Sequence, residues 1–232
     1  MAKKIAIMGA MPEEIAPLLE KLENVSSSMY AANTFYEGTY QGKEIVVAYS
    51  KIGKVFATLT ATMLVEKFGC DILLFSGVAG AISSELAIGD LIIADGLCQH
   101  DLDITAFGHP HGYVPEGDVC IPTDMTLRDI AKEVAAEKGL VLREGIIATG
   151  DQFVANEERK NWIGETFKAD ALEMEGASVA VVCTALNVPF FIMRAISDSA
   201  DMDAGFDFDA FLETSAKVSA DFVISMVEKI ED

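Results

Sequence analysis

Apolar residues fall into short dense runs separated by stretches in which they recur at helical spacing. The runs at 4–8, 71–76, 88–98, 140–149, 169–173 and 190–198 are rich in Ile, Leu, Val and Ala and read as strands buried on both faces. Between them the spacing predicts helices over about 12–22, 54–68, 124–138, 157–165, 175–186 and 207–230. Residues 34–39 and 44–50 read as a strand pair joined by Tyr40-Gln41-Gly42-Lys43. Such alternation predicts an α/β fold with a twisted, mostly parallel sheet and helices on both faces. No linker interrupts it, so residues 1–232 read as one domain.

Two stretches stay outside this alternation. Ser76-Gly77-Val78-Ala79-Gly80-Ala81 reads as a glycine-containing loop where backbone amides can approach a ligand, or equally as a tight turn. It is neither GxGxxG nor a P-loop, so nucleotide phosphate binding is not indicated. Residues 99–122 form a long loop with Phe107, Pro110, Tyr113 and Pro115, of the length that marks functional or interface segments.

A net charge of −20 repels nucleic-acid backbones and anionic membranes, so neither is expected as a partner. Much of that charge serves solubility. The four arginines are Arg128, Arg143, Arg159 and Arg194, with none in the first half of the chain. Cys70, Cys98, Cys120 and Cys183 show no CxxC pairing and read as core thiols of a reducing compartment. His100, His109 and His111 share the long loop, but no third strong ligand accompanies them, and no metal is expected. The apolar run after Lys4 stops at Pro12, too short for a signal peptide, and no run reaches the roughly 18 residues of a membrane span. A cytoplasmic protein is expected.

The run Phe190-Phe191-Ile192-Met193-Arg194-Ala195-Ile196-Ser197-Asp198 carries the first candidate chemistry. Ligands of open α/β sheets bind beyond the carboxyl ends of strands, and a carboxylate placed there is a candidate acid or base. On the strand alone, Asp198 reads at least as well as a turn cap. Glu14 and Glu175 likewise read as helix-start carboxylates favoured by the dipole. Glu14, Asp151, Glu173, Glu175 and Asp198 all lie at strand ends or helix starts, and in a parallel sheet such ends share one edge. Arg194, inside an apolar strand, needs an anionic partner, and a glutamate of the neighbouring strand, Glu173 or Glu175, is the candidate.

Taken in order, Gly9-Ala10-Met11-x-Glu13-Glu14, Ile52-Gly53-Lys54, Gly77-x-Ala79-Gly80, Asp103-Ile104-Thr105-Ala106-Phe107, Thr149-Gly150-Asp151, Glu173-Met174-Glu175 and Arg194-Ala195-Ile196-Ser197-Asp198 closely resemble the bacterial 5′-methylthioadenosine/S-adenosylhomocysteine nucleosidases. Each motif alone is weak, but the ordered set is specific and spans about residues 4–230. The wider group, the nucleoside phosphorylase superfamily, implies a three-layer α/β/α sandwich with a mixed, mostly parallel sheet. The resemblance implies hydrolysis of the N-glycosidic bond of 5′-methylthioadenosine, S-adenosylhomocysteine and 5′-deoxyadenosine in methionine salvage, with no cofactor and as a homodimer.

The resemblance also implies roles. Asp198 protonates adenine N7 and Glu14 activates water. Glu175 holds the ribose hydroxyls and favours a cationic sugar, and Met174 packs on the ribose. Phe153 stacks on adenine while the backbone of Val154 reads its edge. Ile52 and Phe208 line the place of the 5′-alkylthio group. Met11, Val78, Gly80, Glu173 and Ser197 complete the substrate site, and Arg194 supports it. Ile104, Phe107 and Pro115 close the neighbouring subunit's site. Val78 stands where the family usually has Ser or Thr, Pro12 replaces an acidic residue, and residues 109–111 and 155–170 diverge. The nearest rival, a purine nucleoside phosphorylase, must bind phosphate, and Glu14 would oppose it by about 1–4 kcal/mol. A futalosine-type nucleosidase would share Asp198 and Glu175 but need a roomier, more polar 5′ pocket. A non-catalytic nucleoside-binding protein would have no use for Glu14, Glu175 and Asp198 together.

Overall fold

The computed structural model describes residues 3–201 and 203–231, the side chain of Phe206 apart. In chain order the elements are β1 (Ile5–Gly9), α1 (Pro12–Leu19), β2 (Glu23–Tyr30), β3 (Asn33–Tyr40), β4 (Lys43–Tyr49), α2 (Lys54–Thr62) with a π-helical turn (Met63–Lys67), β5 (Ile72–Phe75), β6 (Val78–Ala81) and β7 (Leu91–Gln99). There follow a 3-10 turn (Thr105–Phe107), β8 (Cys120–Pro122), α3 (Met125–Lys138), β9 (Leu142–Thr149), α4 (Glu157–Phe167), β10 (Ala169–Glu173), α5 (Gly176–Leu186), β11 (Phe190–Asp198) and α6 (Ala204–Lys229).

The strands join in the order β2-β3-β4-β1-β5-β11-β6-β10-β9-β7-β8. β7 also pairs with β11, so β11, β6, β10, β9 and β7 close into a ring. Among the described residues six of the eleven strand pairings are parallel, so the fold is mixed α/β.

Period-two alternation sorts the central strands onto two cores. Ala6, Met8, Leu73 and Phe75 pack with Ala57, Ala61, Ala177 and Ala180 of α2 and α5. Ile5, Ile7, Ile72 and Leu74 face the other way, onto Ile15, Leu18, Leu127 and Phe222 of α1, α3 and α6. Helices therefore cover both faces, and truncating a fully buried Phe75 or Phe222 to Ala costs about 3–5 kcal/mol. Local signals agree with the helix ends: Asp124 accepts the Leu127 amide at the start of α3, and Gly139, at φ 64, closes it.

Three strands differ from the sequence expectation. β2 is exposed along its whole length and polar, and its ladder with β3 alone makes it a strand. β6 is the stretch read as a glycine loop: four small, buried residues held between β11 and β10. β8 lies inside the expected 99–122 loop, paired antiparallel to β7. Helix α1 stops at Leu19, short of the expected 22, and α6 begins at Ala204 rather than 207. No helix among the described residues is long and apolar enough to cross a membrane.

Candidate active site

β11 organises the site because it changes partners along its length. Its first residues pair with β5, its middle with β7, and its last with β6. The ends of β1 and β5 therefore stand level with its middle, while Asp198 lies four residues beyond Arg194, roughly 13 Å further on. β10 runs antiparallel to β6, so Glu173 at its carboxyl end lies near the beginning of β6 and the middle of β11. The acids thus meet across the ring, not along one shared edge of parallel carboxyl ends.

An open cavity of about 550 Å³ fills this space. Its lining includes Met11, Glu14, Ile52, Val78, Gly80, Phe153, Val154, Glu173, Met174, Glu175, Ser197, Asp198 and Phe208, the residues the sequence assigns to catalysis and to one subunit's substrate site. Among the described residues four carboxyl groups line it and no Lys, Arg or His does.

Glu14 is 3% exposed and held by backbone alone. Its Oε2 accepts the Ala10 amide at 2.5 Å and the Met11 amide at 3.1 Å, and its Oε1 accepts the Val78 amide at 3.0 Å. The helix-start role is therefore real, and it also aims the carboxylate at the cavity. Burial pushes the Glu14 carboxyl above its ordinary value, against the Arg194 charge and the three amides. Gly77 makes room: a Cβ there would lie 2.6 Å from Glu14 Oε1. Ser219 on α6 accepts the Gly77 amide at 3.1 Å and bonds Ser76 at 2.8 Å, fixing the turn that presents Val78. The hydroxyl missing at Val78 takes no part in this cradle, because the contact is an amide any residue supplies.

Arg194 finds Glu173, its Nη2 2.7 Å from Oε2 with both side chains buried. The partner stands two strands away, since β6 lies between β11 and β10, and not on the neighbouring strand expected from the sequence. Arg194 also donates to the Phe75 and Met193 carbonyls and lies over the Phe75 ring at 4.1 Å. Glu173 accepts further from the Thr149 hydroxyl at 2.5 Å and from the Glu175 and Gly176 amides. Its oxygens are spent on the turn that carries Glu175. Glu175 Oε1 accepts the Gly53 amide at 2.7 Å. Burial and the Glu173 charge push Glu175 up to about 8, with Glu14 adding and the Gly53 amide and Arg194 opposing.

Asp198 is 3% exposed at the other end of the cavity. Ser197 Oγ donates to its Oδ2 at 2.9 Å and the Ala200 amide to its Oδ1 at 2.8 Å. It thus caps a turn and faces the cavity at once. Burial raises its carboxyl above the ordinary value; Ala200 and Ser197 oppose this, and the charges of Asp207 and Asp201 reinforce it. Gly80 leaves the space, since a Cβ there would stand 2.7 Å from Oδ1.

Phe153 and Phe208 meet edge to face at 5.7 Å between centroids near the mouth. Ile52 is 55% and Phe153 48% exposed, so the mouth is open and apolar. Ile104, Phe107 and Pro115 are absent from this chain's cavity lining, and Phe107, 81% exposed, projects from the surface. Sequence reasoning gave no role to Ala10, Ala79, Gln152 and Leu172 in the lining, although Ala10 and Ala79 stand inside its motifs and the other two beside residues it named. It likewise named Thr149 and Gly53 in its motifs without giving them the roles that their hydrogen bonds to Glu173 and Glu175 show. His100 is buried against Arg159, His109 stacks on Tyr113, and His111 meets the edge of Trp162. Among the described residues no group of three His, Cys, Asp or Glu is placed to hold a metal ion.

The profile of the phosphorylase superfamily matches residues 4–228. An aminodeoxyfutalosine nucleosidase of Campylobacter jejuni is 58% identical over 227 residues, covering 98% of this chain and 99% of the relative. A 5′-methylthioadenosine/S-adenosylhomocysteine nucleosidase of Shewanella sediminis is 40% identical, covering 98% of this chain and all of the relative. The crystal structure of a 5′-methylthioadenosine/S-adenosylhomocysteine nucleosidase from Helicobacter pylori with butyl-thio-DADMe-Immucillin-A superposes with a TM-score of 0.97 at 50% identity, over 99% of this chain and 100% of that one.

Proposed function

The chain belongs to the phosphorylase superfamily and is a nucleosidase of the bacterial 5′-methylthioadenosine/S-adenosylhomocysteine type, and from that premise we propose that its cavity hydrolyses the N-glycosidic bond of 5′-methylthioadenosine, S-adenosylhomocysteine and 5′-deoxyadenosine, in methionine salvage. The observation that carries this reading is a cavity with buried carboxyls at both ends and, among the described residues, no basic side chain in its lining. Such a lining suits an uncharged water as nucleophile and a cationic sugar in the transition state. It offers a phosphate dianion no cationic side chain among the described residues, and an ionised Glu14 opposes it.

The reaction needs a protonated leaving base, an activated water and a stabilised sugar cation. Asp198, whose burial favours the neutral form, gives its proton to adenine N7 as the bond from C1′ to N9 breaks and its electron pair leaves with the base. Glu14 takes a proton from the water whose oxygen bonds C1′, and its raised affinity for protons makes it a stronger base. Asp198 ends ionised and Glu14 protonated, and a proton exchange with solvent resets both. Glu175 accepts the ribose hydroxyls, and the cationic sugar favours its ionised form. Met174 packs on the ribose, and Met11, Val78 and Gly80 close around the sugar and water. Phe153 stacks on adenine, the Val154 backbone reads its edge, and Ser197 steadies Asp198. Ile52 and Phe208 take the 5′ group. Glu173 and Arg194 act from behind by holding the Glu175 turn.

The two helical layers and single alternation of elements are read as one three-layer domain. The exposed Ile52, Val55, Phe56, Leu59 and Phe107 suit a homodimer in which Ile104, Phe107 and Pro115 close the neighbour's mouth. A second reading is favoured by the 58% identical Campylobacter jejuni relative, an aminodeoxyfutalosine nucleosidase: aminodeoxyfutalosine turns over in the same cavity. The mouth at Ile52 and Phe153 is open, as this reading requires, but its side chains there are apolar rather than polar.

The test incubates purified protein with these nucleosides, with and without phosphate, and identifies the sugar. Free adenine and a free 5-substituted ribose without phosphate support the proposal. A sugar 1-phosphate formed only with phosphate overturns it. Relative kcat/KM values for 5′-methylthioadenosine and aminodeoxyfutalosine decide the preferred 5′ group.

A further inference from the structure

Behind Glu175, outside the cavity lining, three charged side chains from separate segments close a ring of hydrogen bonds. The Gly53 amide donates to Glu175 Oε1 at 2.7 Å, and the next amide, of Lys54, donates to Asp151 Oδ1 at 2.7 Å. Lys54 Nζ donates to Asp101 Oδ1 at 2.7 Å and to Gln99 Oε1 at 3.1 Å. The ring closes where the Asp151 amide donates to Asp101 Oδ2 at 2.9 Å. It ties the start of α2 to the ends of β7 and β9, and its output is the direction of one N–H.

Gly53 explains why the turn needs such support. It sits at φ 101 and ψ 158, where any side chain is strained. A Cβ there would also stand 3.0 Å from Asp151 Oδ1. The glycine lets the carboxylate come close enough to take the Lys54 amide, but leaves the turn without stiffness of its own. Against the effect of burial, the Lys54 ammonium and the Asp151 amide hold the Asp101 carboxyl below its ordinary value. The bland alternative is a solvated surface ion pair of Lys54 with Asp101, since Asp101 and its neighbour Asp151 are both exposed. Such pairs contribute about 0–1 kcal/mol and leave a distant reaction alone.

We propose that Lys54, Asp101 and Asp151 are positioning residues: their ring aims the Gly53 amide so that Glu175 is oriented to receive the ribose hydroxyls. The inference rests on the reading of Glu175 as the ribose-hydroxyl acceptor. It adds that recognition of the sugar is set from a ring of side chains that never touches the substrate.

The experiment compares 5′-methylthioadenosine with its 3′-deoxy analogue as substrates for the full-length protein, with kcat, KM and thermal midpoint recorded for each variant. Asp151→Ala and Lys54→Met are expected to lower kcat/KM on the ribonucleoside by about 10- to 100-fold, the cost of a misplaced group. The 3′-deoxy analogue, lacking a hydroxyl that Glu175 holds, loses less, so the preference for the ribonucleoside shrinks. Asp151→Asn keeps an oxygen for the Lys54 amide and is expected to restore that preference. A merely structural effect would move the midpoint and slow both substrates alike. Unchanged preference in both Asp151→Ala and Lys54→Met overturns the proposal. Glu175→Ala separates the two levels. If it leaves the preference intact, the reading of Glu175 itself fails. If it removes the preference and the ring variants do not, only the ring's role fails. Inactivity of the unmodified protein on 5′-methylthioadenosine overturns both.

Discussion

Arg194 Nη2 lies 2.7 Å from Glu173 Oε2, each side chain almost fully buried, and the pair stands directly behind the turn that carries Glu175. Removing one partner leaves the other charge buried without compensation, which costs about 3–5 kcal/mol. Arg194→Met should therefore lower the urea midpoint strongly. The double variant Arg194→Met/Glu173→Gln should lose clearly less than the two single losses added together. A double-mutant cycle with no coupling would show that the pair stabilises nothing beyond its separate contacts.

The two candidate catalytic carboxyls should separate in kind. Asp198→Asn removes the proton donor but keeps the Ala200 turn, so turnover should fall by about 10²- to 10⁴-fold with the thermal midpoint nearly unchanged. Glu14→Gln puts an amide nitrogen where an oxygen accepts backbone N–H groups, so one of those contacts is lost. Turnover should fall over the same range while 5′-methylthioadenosine still binds, as equilibrium dialysis would record. Near-normal turnover in either variant contradicts the role given to that residue.

Glycines beside these acids give a milder test. A methyl at Gly77 or at Gly80 would stand 2.6 Å from Glu14 Oε1 or 2.7 Å from Asp198 Oδ1. Gly77→Ala and Gly80→Ala should each reduce kcat by about 10²-fold through displacement of the neighbouring carboxyl. Crystal structures of the variants should show that carboxyl moved. Loss of activity with the carboxyl in place would assign the glycines another role.

How much of this was legible in sequence depended on where the deciding force lay. The apolar runs of β1, β5 and β11 announce themselves because both faces are buried. β6 did not, because Val-Ala-Gly-Ala is short and small, with Gly80 making room for Asp198 and Gly77 just before it making room for Glu14, and such a stretch looks like a loop. β2 did not either, because its exposed polar residues owe their conformation to β3 alone. The residues named from the resemblance gather around one cavity, and some of them, such as Glu173 and Asp198, stand where an apolar run turns polar. Strand direction was beyond them. The antiparallel run of β10, which brings Glu173 to Arg194 across β6, is a tertiary fact with no local signature.

The pH dependence of stability tests the electrostatics of the ribose end of the cavity. Burial and the Glu173 charge raise Glu175 to about 8 in the fold, with Glu14 adding to the effect and the Gly53 amide and Arg194 opposing it, while the unfolded chain titrates near the ordinary 4.5. Between those values the native state holds a proton that the unfolded chain has released, so stability falls as pH rises. The contribution is fully present below about 4.5 and lost by about 8. His100 acts in the opposite sense, burial and Arg159 lowering it to about 4, so its contribution is lost as pH falls below 6.5. Glu175→Gln keeps an oxygen for the Gly53 amide and removes only the Glu175 titration, so His100 cancels when variant and parent are compared. The variant's thermal midpoint should match or trail the parent's at pH 4.5 and gain on it steadily toward pH 8. Parallel curves across that window would mean that Glu175 is ionised in the resting fold, with Arg194 and the Gly53 amide outweighing burial.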